Sequence, residues 1–406
     1  MRSILFCLAI AVVWQLAAAA ETLTPERAVK YLRIGDLRYS PDGSVALVAV
    51  SGVNGVTPQG HLWLADPEKK ELRQFTFSQK TERSPEWAPQ GDRVAFLSNR
   101  WGPMQVYVIP RTGGEARAVT ASPSGVTDFR WSPDGKQIAY LAREPDLERD
   151  VNVPHVADRV QDLERLWVTD VGSGASREVT SAVLRIDAIG WVSSERILAI
   201  ASEQPALETW HSALCEISIR DGAVRWVGKP AQPFKGLWLS PARKQLAFAA
   251  TAAGGPIPHD LFVQSVDGGA SRDVTASVDR AVLDARWQND TTVVARVADG
   301  FINRLVRIDS KGAVTGIDLP YSVRSFDVAR NGDILFAGVG FNRLPEVFVR
   351  RSNGAVSQLG ELQSGWDGIV LADAATFRFP SFDGTPRVDR IRREVCRGEP
   401  RRPGWR

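Results

Sequence analysis

One short phrase recurs along the chain, and no other feature restricts the fold as much. It is an aromatic or apolar residue, a Ser-Pro-Asp-Gly-like turn, and then a run of apolar residues. It stands as Tyr39-Ser-Pro-Asp-Gly43 before Val45 to Val50, as Trp87-Ala-Pro-Gln-Gly91 before Val94 to Leu97, and as Trp131-Ser-Pro-Asp-Gly135 before Ile138 to Leu141. Weaker copies lie at Trp191, at Leu239-Ser-Pro241, at Trp287, and at Val328 with Asn331-Gly332. Successive anchors are 48, 44, 60, 48, 48 and 41 residues apart. Within the turn, Pro presets φ, Asp bonds the local backbone, and Gly takes the left-handed conformation.

Each unit has a second half. A strand such as His61-Leu-Trp-Leu-Ala-Asp66 or Leu166-Trp-Val-Thr-Asp170 leads through a Gly-rich turn to a strand ending in Val-Thr, as at Ala118-Val-Thr120, Glu178-Val-Thr180 and Asp273-Val-Thr275. Four short strands per unit make one antiparallel sheet. A lone sheet of that size leaves two faces and two edges uncovered. Radial packing covers the faces, and a period of about 40–50 residues is that of a propeller blade. The sequence therefore predicts an all-β fold, a seven-bladed β-propeller of four-stranded antiparallel blades spanning residues 39–370. Trp at the anchor of units two, three, four and six predicts a bulky side chain wedged between neighbouring blades. Two anchors have lost Pro and Gly, so six or eight blades are the alternative counts. An array of β-sandwiches is the competing fold, but sandwich strands do not return to one motif at near-constant spacing.

Hydrophobic residues make up 44% of the 406-residue chain, enough for a large core. The formal charge of +3 is misleading as an average. From Arg387 to Arg406 there are eight Arg against Asp389, Glu394 and Glu399, a net of +5, which leaves −2 for the rest. The body gives no reason to expect a nucleic-acid partner. Residues 1–20 read as a signal peptide: Arg2, an apolar stretch from Ile4 to Leu16, and Ala18-Ala19-Ala20 before Glu21. The expected location is periplasmic or secreted, with no membrane association after cleavage. An uncleaved anchor is the alternative, though the stretch is short of the roughly 20 residues a spanning helix needs. Residues 21–38 read as an N-terminal helical segment, with Thr24 as cap and Pro25 at the first helical position. Cys7 leaves with the signal peptide, Cys215 reads as a buried apolar residue, and Cys396 lies in the tail; a Cys215–Cys396 disulfide has no support in the sequence.

The 60-residue interval between Trp131 and Trp191 holds an insertion rich in Asp, Glu and Arg. Read functionally, it overhangs a binding surface, with Glu144, Glu148, Asp150 and Arg159 as candidate substrate contacts. Read structurally, it is a solvated hairpin whose charges compensate one another. His61, His155, His211 and His259 are scattered without metal-ligand spacing, and no Gly-rich phosphate loop is present. Neither metal nor cofactor is expected.

The Trp-Ser-Pro-Asp-Gly repeats resemble those of TolB-like propellers and, equally, the N-terminal propellers of the prolyl oligopeptidase family of serine peptidases. Three further stretches resemble the acylaminoacyl and dipeptidyl peptidase branch of that family. They are Thr24-Pro-Glu26 leading to Ile34-Gly-Asp36, the strand Phe96-Leu-Ser-Asn-Arg100, and Thr376-Phe-Arg-Phe-Pro-Ser-Phe-Asp-Gly384. The last resembles the strand by which the family leaves its propeller for the hydrolase domain, so residues 371–385 read as an exit strand. The resemblance covers roughly residues 22–385. It implies that the ring gates or holds short peptides beside an active site, with Glu144 or Glu148 facing a substrate ammonium.

Such catalysis needs a Ser on a G-x-S-x-G elbow followed by Asp and His. No G-x-S-x-G occurs here and no His follows His259. The chain as given is read as non-enzymatic, with no catalytic residues. Residues 386–406 read as an aberrant basic tail left by a frameshift or truncation; a genuine tail contacting an acidic partner is the alternative. The expected partners are peptides, a hydrolase domain or an envelope protein, and the oligomeric state is left open. A stand-alone TolB-like periplasmic scaffold is the second functional reading.

Overall fold

The computed structural model describes residues 23–55, 57–143, 164–180, 184–203, 212–228, 234–251, 259–309, 311–369, 371, 374–384 and 386–392. They form seven four-stranded antiparallel sheets in chain order, each cut from one continuous stretch, and a separate two-stranded sheet. The blades run Arg33–Gln74 (β1–β4), Glu82–Ala118 (β5–β8), Val126–Glu178 (β9–β12), Arg185–Gly228 (β13–β16), Phe234–Asp273 (β17–β20), Val282–Ile317 (β21–β24) and Ser322–Gln358 (β25–β28). The first strands of successive blades touch one another around the axis, and β25 touches β1. The count of seven holds.

Alternation along the strands explains why the ring holds together. In β10 (Gln137–Arg143), Ile138, Tyr140 and Ala142 pack toward the second blade, whereas Ala139 and Leu141 pack toward the fourth. Successive side chains point to opposite faces, and here both faces are covered. Each of the seven hydrophobic clusters is shared by two adjacent sheets. The cluster that closes the circle joins Leu37, Ala46 and Val48 of blade one to Leu335, Ala337 and Val349 of blade seven. Among the described residues no strand is exchanged between the first and last blades, and closure rests on side-chain packing.

The anchor tryptophans do wedge between blades, and each also spans the gap. Trp87 Nε1 donates to Arg38 O at 3.0 Å, Trp131 Nε1 to Glu86 O at 3.3 Å, Trp191 Nε1 to Arg130 O at 3.0 Å, and Trp287 Nε1 to Trp238 O at 2.8 Å. In blade five the anchor is Leu239, and the Arg243 guanidinium reaches back instead, to Trp191 O at 2.5 Å. The turns behave as their residues dictate. Gly135 has φ +67°, and Ser132 Oγ donates to Asp134 Oδ1 at 2.6 Å while accepting from Gln137 N at 2.9 Å. The Val-Thr endings also acquire a role. Thr120, Thr180 and Thr275, and Thr76 after Phe75 in blade one, each accept through Oγ1 the backbone N–H of a residue in the neighbouring third strand: Val106, Leu166, Leu261 and Leu62.

Two expected boundaries move. The segment 21–38 is helical only over Pro25–Ala28, capped by Thr24, and Arg33–Tyr39 is already the first strand of the ring. Backbone pairing of Arg33–Tyr39 with residues 46–51 takes this part of the segment into the ring. At the other end, the exit strand appears as β29 (Ala374–Pro380), but β30 (Pro386–Arg392) pairs with it in register from Pro380↔Pro386 to Ala374↔Arg392. The basic tail thus begins as a strand. The turn at Ser381–Gly384, closed by Gly384 N to Ser381 O at 2.9 Å, sets this hairpin through backbone pairing, whatever the side chains that follow.

Candidate functional site

Antiparallel order gives the ring two distinct ends. The Ser-Pro-Asp-Gly turns lie at the lower end. The starts of the first strands, the connections between second and third strands, and the segments leading into and out of the ring all lie at the upper end. Arg143 and Glu164, which bracket the charged insertion in the sequence, are register partners at the upper ends of β10 and β11 (Glu164–Asp170). Burial raises the Glu164 pKa, opposed by Thr127 and by Arg143, whose Nε lies 3.9 Å from the carboxylate. Glu144, Glu148, Asp150 and Arg159 themselves lie outside the described residues.

The axis of the ring carries a charge pattern that the sequence reading missed. In blades one, three and six the three positions before the anchor read Asp-x-Arg: Asp36 with Arg38, Asp128 with Arg130, and Asp284 with Arg286. In each, the guanidinium turns back onto its own aspartate, at 3.5 Å in the first blade and 2.6 Å in the third, and also bonds the carbonyl between them. Blade two presents Glu86 at the arginine position and blade seven presents Asp327. Going round from blade six to blade three, the charges therefore alternate: Arg286, Asp327, Arg38, Glu86, Arg130. Asp327 ties three blades together. Its Oδ2 accepts from Tyr39 N at 2.7 Å, and its Oδ1 lies 4.0 Å from Arg286 Nε.

These groups are half-buried around the axis, and their titration reflects the crowding of charge there. Burial pushes the Glu86 carboxyl up to about 7, opposed by Arg130 and Arg38 and reinforced by Asp128. Burial also raises Asp327, against the pull of Arg38 and Arg286. Burial lowers the Arg38 pKa and nearby Arg286 lowers it further. For Arg130 burial acts downward too, but Asp128 and Glu86 outweigh it and the net shift is upward. The signal was legible in principle, since an acid and a base recur at fixed offsets before the anchor. These half-buried alternating charges give the axis a polar lining, and Asp327 links the first strands of blades six, seven and one.

A second cluster accounts for the Ser-Asn-Arg stretch of blade two. Arg100 pairs with Glu82, which is 1% exposed, and stacks over Tyr107 at 4.8 Å. Asn99 Oδ1 accepts from Thr81 N at 2.9 Å. Burial opposes ionisation of Glu82, yet His61, Thr76 and Arg100 together keep its pKa low. These residues clamp blade two to blade one. Cys215 is fully buried between blades three and four, and burial pushes its thiol up to about 12, which suits a packing role. Among the described residues no three His, Cys, Asp or Glu side chains are grouped to hold a metal ion, and no helix is long and apolar enough to cross a membrane.

Large apolar side chains crowd the upper end. Phe77, Trp101, Phe301 and Phe341 are 75%, 87%, 46% and 44% exposed. All four lie in upper-end connections.

Comparison with known proteins places this architecture. Residues 29–163 match the family described as the TolB beta propeller domain. Over 155 residues the chain is 30% identical to dipeptidyl-peptidase 5 of Porphyromonas endodontalis, a match covering 37% of this chain and 21% of that protein. The ring superposes on the acylaminoacyl peptidase of Pyrococcus horikoshii with a TM-score of 0.71 at 15% identity, covering 89% of this chain and 58% of the other. It superposes on the β-propeller domain of the Trilobed protease from Pyrococcus furiosus with a TM-score of 0.61 at 14% identity, covering 82% of this chain and 97% of that domain, whose topology is described as open velcro. The chain thus spans little more than half the length of the acylaminoacyl peptidase, and matches a fifth of dipeptidyl-peptidase 5.

Proposed function

We propose, on the premise that this is a TolB-type propeller built like those of acylaminoacyl and dipeptidyl peptidases, that it serves as the non-catalytic ring of an exported prolyl oligopeptidase-like serine peptidase. In that role it admits short peptides to a hydrolase domain held against its upper end and excludes larger chains. The observation that carries this reading is the concentration of features at one end. The incoming segment at Leu32, the outgoing segment after Gln358, the paired Arg143 and Glu164, and the exposed Phe77, Trp101, Phe301 and Phe341 all lie there. Exposed apolar side chains at the end where a chain joins and leaves a ring are suited to a covalently linked or tightly docked neighbour.

The test has two parts. The nucleotide sequence beyond codon 385 is read in all frames for a G-x-S-x-G elbow with downstream Asp and His. In parallel, the purified chain is mixed with the α/β-hydrolase domain of a dipeptidyl-peptidase 5 and followed by sedimentation. A hydrolase frame, or a complex abolished by Phe77→Ser with Trp101→Ser, supports the reading. Absence of both overturns it.

A further inference from the structure

Between blades six and seven, at the upper end, the ring contains a cavity of about 810 Å³. Its wall includes three guanidinium groups, Arg296, Arg304 and Arg324, the aromatic rings of Phe301, Tyr321 and Phe341, and no acidic residue. The arginines come from different strands, β22 (Thr292–Asp299), β23 (Ile302–Asp309) and β25 (Ser322–Val328), so their convergence is a product of the fold. The wall is tied together: Asn303 N bonds Ser322 Oγ at 2.9 Å, and Asn303 Nδ2 bonds Val323 O at 3.1 Å.

The state of the three arginines is what points to a ligand. Arg304 is held by Asp299 at 2.6 Å. Arg296 lies directly across the sheet from Asp284, but Asp284 Oδ1 is engaged by Arg286 and by Ala285 N. Arg296 is left with its Nε buried and without an acceptor. Arg324 likewise makes no hydrogen bond or ion pair with any described residue. A buried guanidinium without an anion is costly, and proteins usually pair it. Here the buried Nε of a half-buried Arg296 lacks an acceptor, and beside it the exposed Arg324 guanidinium has no counter-ion among the described residues, both facing one space with an apolar, aromatic rim. Burial lowers the Arg296 pKa, opposed by the neighbouring Asp284 and reinforced by Arg286.

We infer that this cavity binds the free carboxylate of a small apolar or aromatic organic acid, of the size of a short peptide's C-terminus. Arg296 and Arg324 clamp the carboxylate and the ring side chains take the apolar part. Arginine is fitted to this because its planar fork donates two parallel hydrogen bonds to a carboxylate. The inference goes beyond the proposed role of the ring and does not depend on a hydrolase: apart from Ile34 of blade one, the site is lined by blades six and seven, and it is read on the chain alone.

Isothermal titration of the full chain with N-acetyl-Phe-Phe and with its C-terminal amide tests it. The acid should saturate one site and bind at least tenfold tighter than the amide, and Arg296→Gln and Arg324→Gln should each cost at least tenfold. Neither substitution removes a partner from the fold, so both variants should keep the parent's thermal midpoint or exceed it, and a drop of several degrees in both would show that the arginines serve the fold and overturn the assignment. Equal binding of acid and amide, or unchanged affinity in both variants, would overturn it as well. Inorganic phosphate that saturates the site while the peptide acid does not would establish a bare-anion site and overturn the carboxylate assignment.

Discussion

At the scale of single residues, the ring relies on groups that touch two blades at once. The indoles of Trp87, Trp131, Trp191 and Trp287 fill the gap between sheets and donate to the carbonyl just before the preceding blade's anchor, or in Trp287's case to Trp238 O, which holds that same place. Glu86 is the costlier kind of bridging group. Its pKa rises from 4.5 to about 7 mainly through burial, so the folded ring holds this proton more tightly than the unfolded chain does. Between those two pH values the folded state binds more protons, stability falls as pH rises, and the fall ends above about 7. Glu86→Gln should remove that limb. Urea midpoints should show little difference from the parent near pH 4 and a gain of about 1–3 kcal/mol at pH 7.5. A parent and variant that differ equally at both pH values would show that Glu86 is not the titrating group.

At the scale of elements, the Val-Thr endings show how a strand finishes without an unpaired amide. Thr180 Oγ1 accepts from the buried N–H of Leu166 at 3.1 Å. Thr180→Val keeps the volume and removes the acceptor, so it should cost about 1–3 kcal/mol; hydrogen exchange should show the Leu166 amide losing protection more than those of its strand neighbours. Much of this architecture was legible in the sequence because its chemistry is local. A Ser-Pro-Asp-Gly turn and a following apolar run carry their own instructions, and seven anchors gave seven blades. What escaped was nonlocal or masked. Strand Arg33–Tyr39 was hidden by the helix signal at Thr24-Pro25 and by a bulge between Ile34 and Leu37 that breaks its alternation. Strand Pro386–Arg392 was hidden by its arginines. The Asp-x-Arg rows repeat at a fixed offset and were overlooked beside the louder turn motif. The Arg296–Arg324 cavity had one weak trace, an arginine inside the run Val293-Val-Ala-Arg-Val297. Its meaning depends on two strands from other parts of the chain, which only the fold brings near. The insertion holding Glu144, Glu148, Asp150 and Arg159 remains a sequence-based expectation.

At the scale of the whole molecule, seven clusters of similar make-up share the work of stability, and the one between blades seven and one is no weaker in kind than the rest. Leu37, fully buried there, should on replacement by Ala cost about 2–5 kcal/mol. Because each blade is covered by both neighbours, that loss should shift one cooperative transition seen alike by tryptophan fluorescence and far-UV circular dichroism. An early, separate loss of one signal would mean that the blades unfold singly. Every sheet is drawn from a single unbroken stretch of four strands, and this has a topological corollary. No junction in the circle is privileged, so a circularly permuted polypeptide opened between Thr120 and Val126 and spliced across the seam would trace the same wheel.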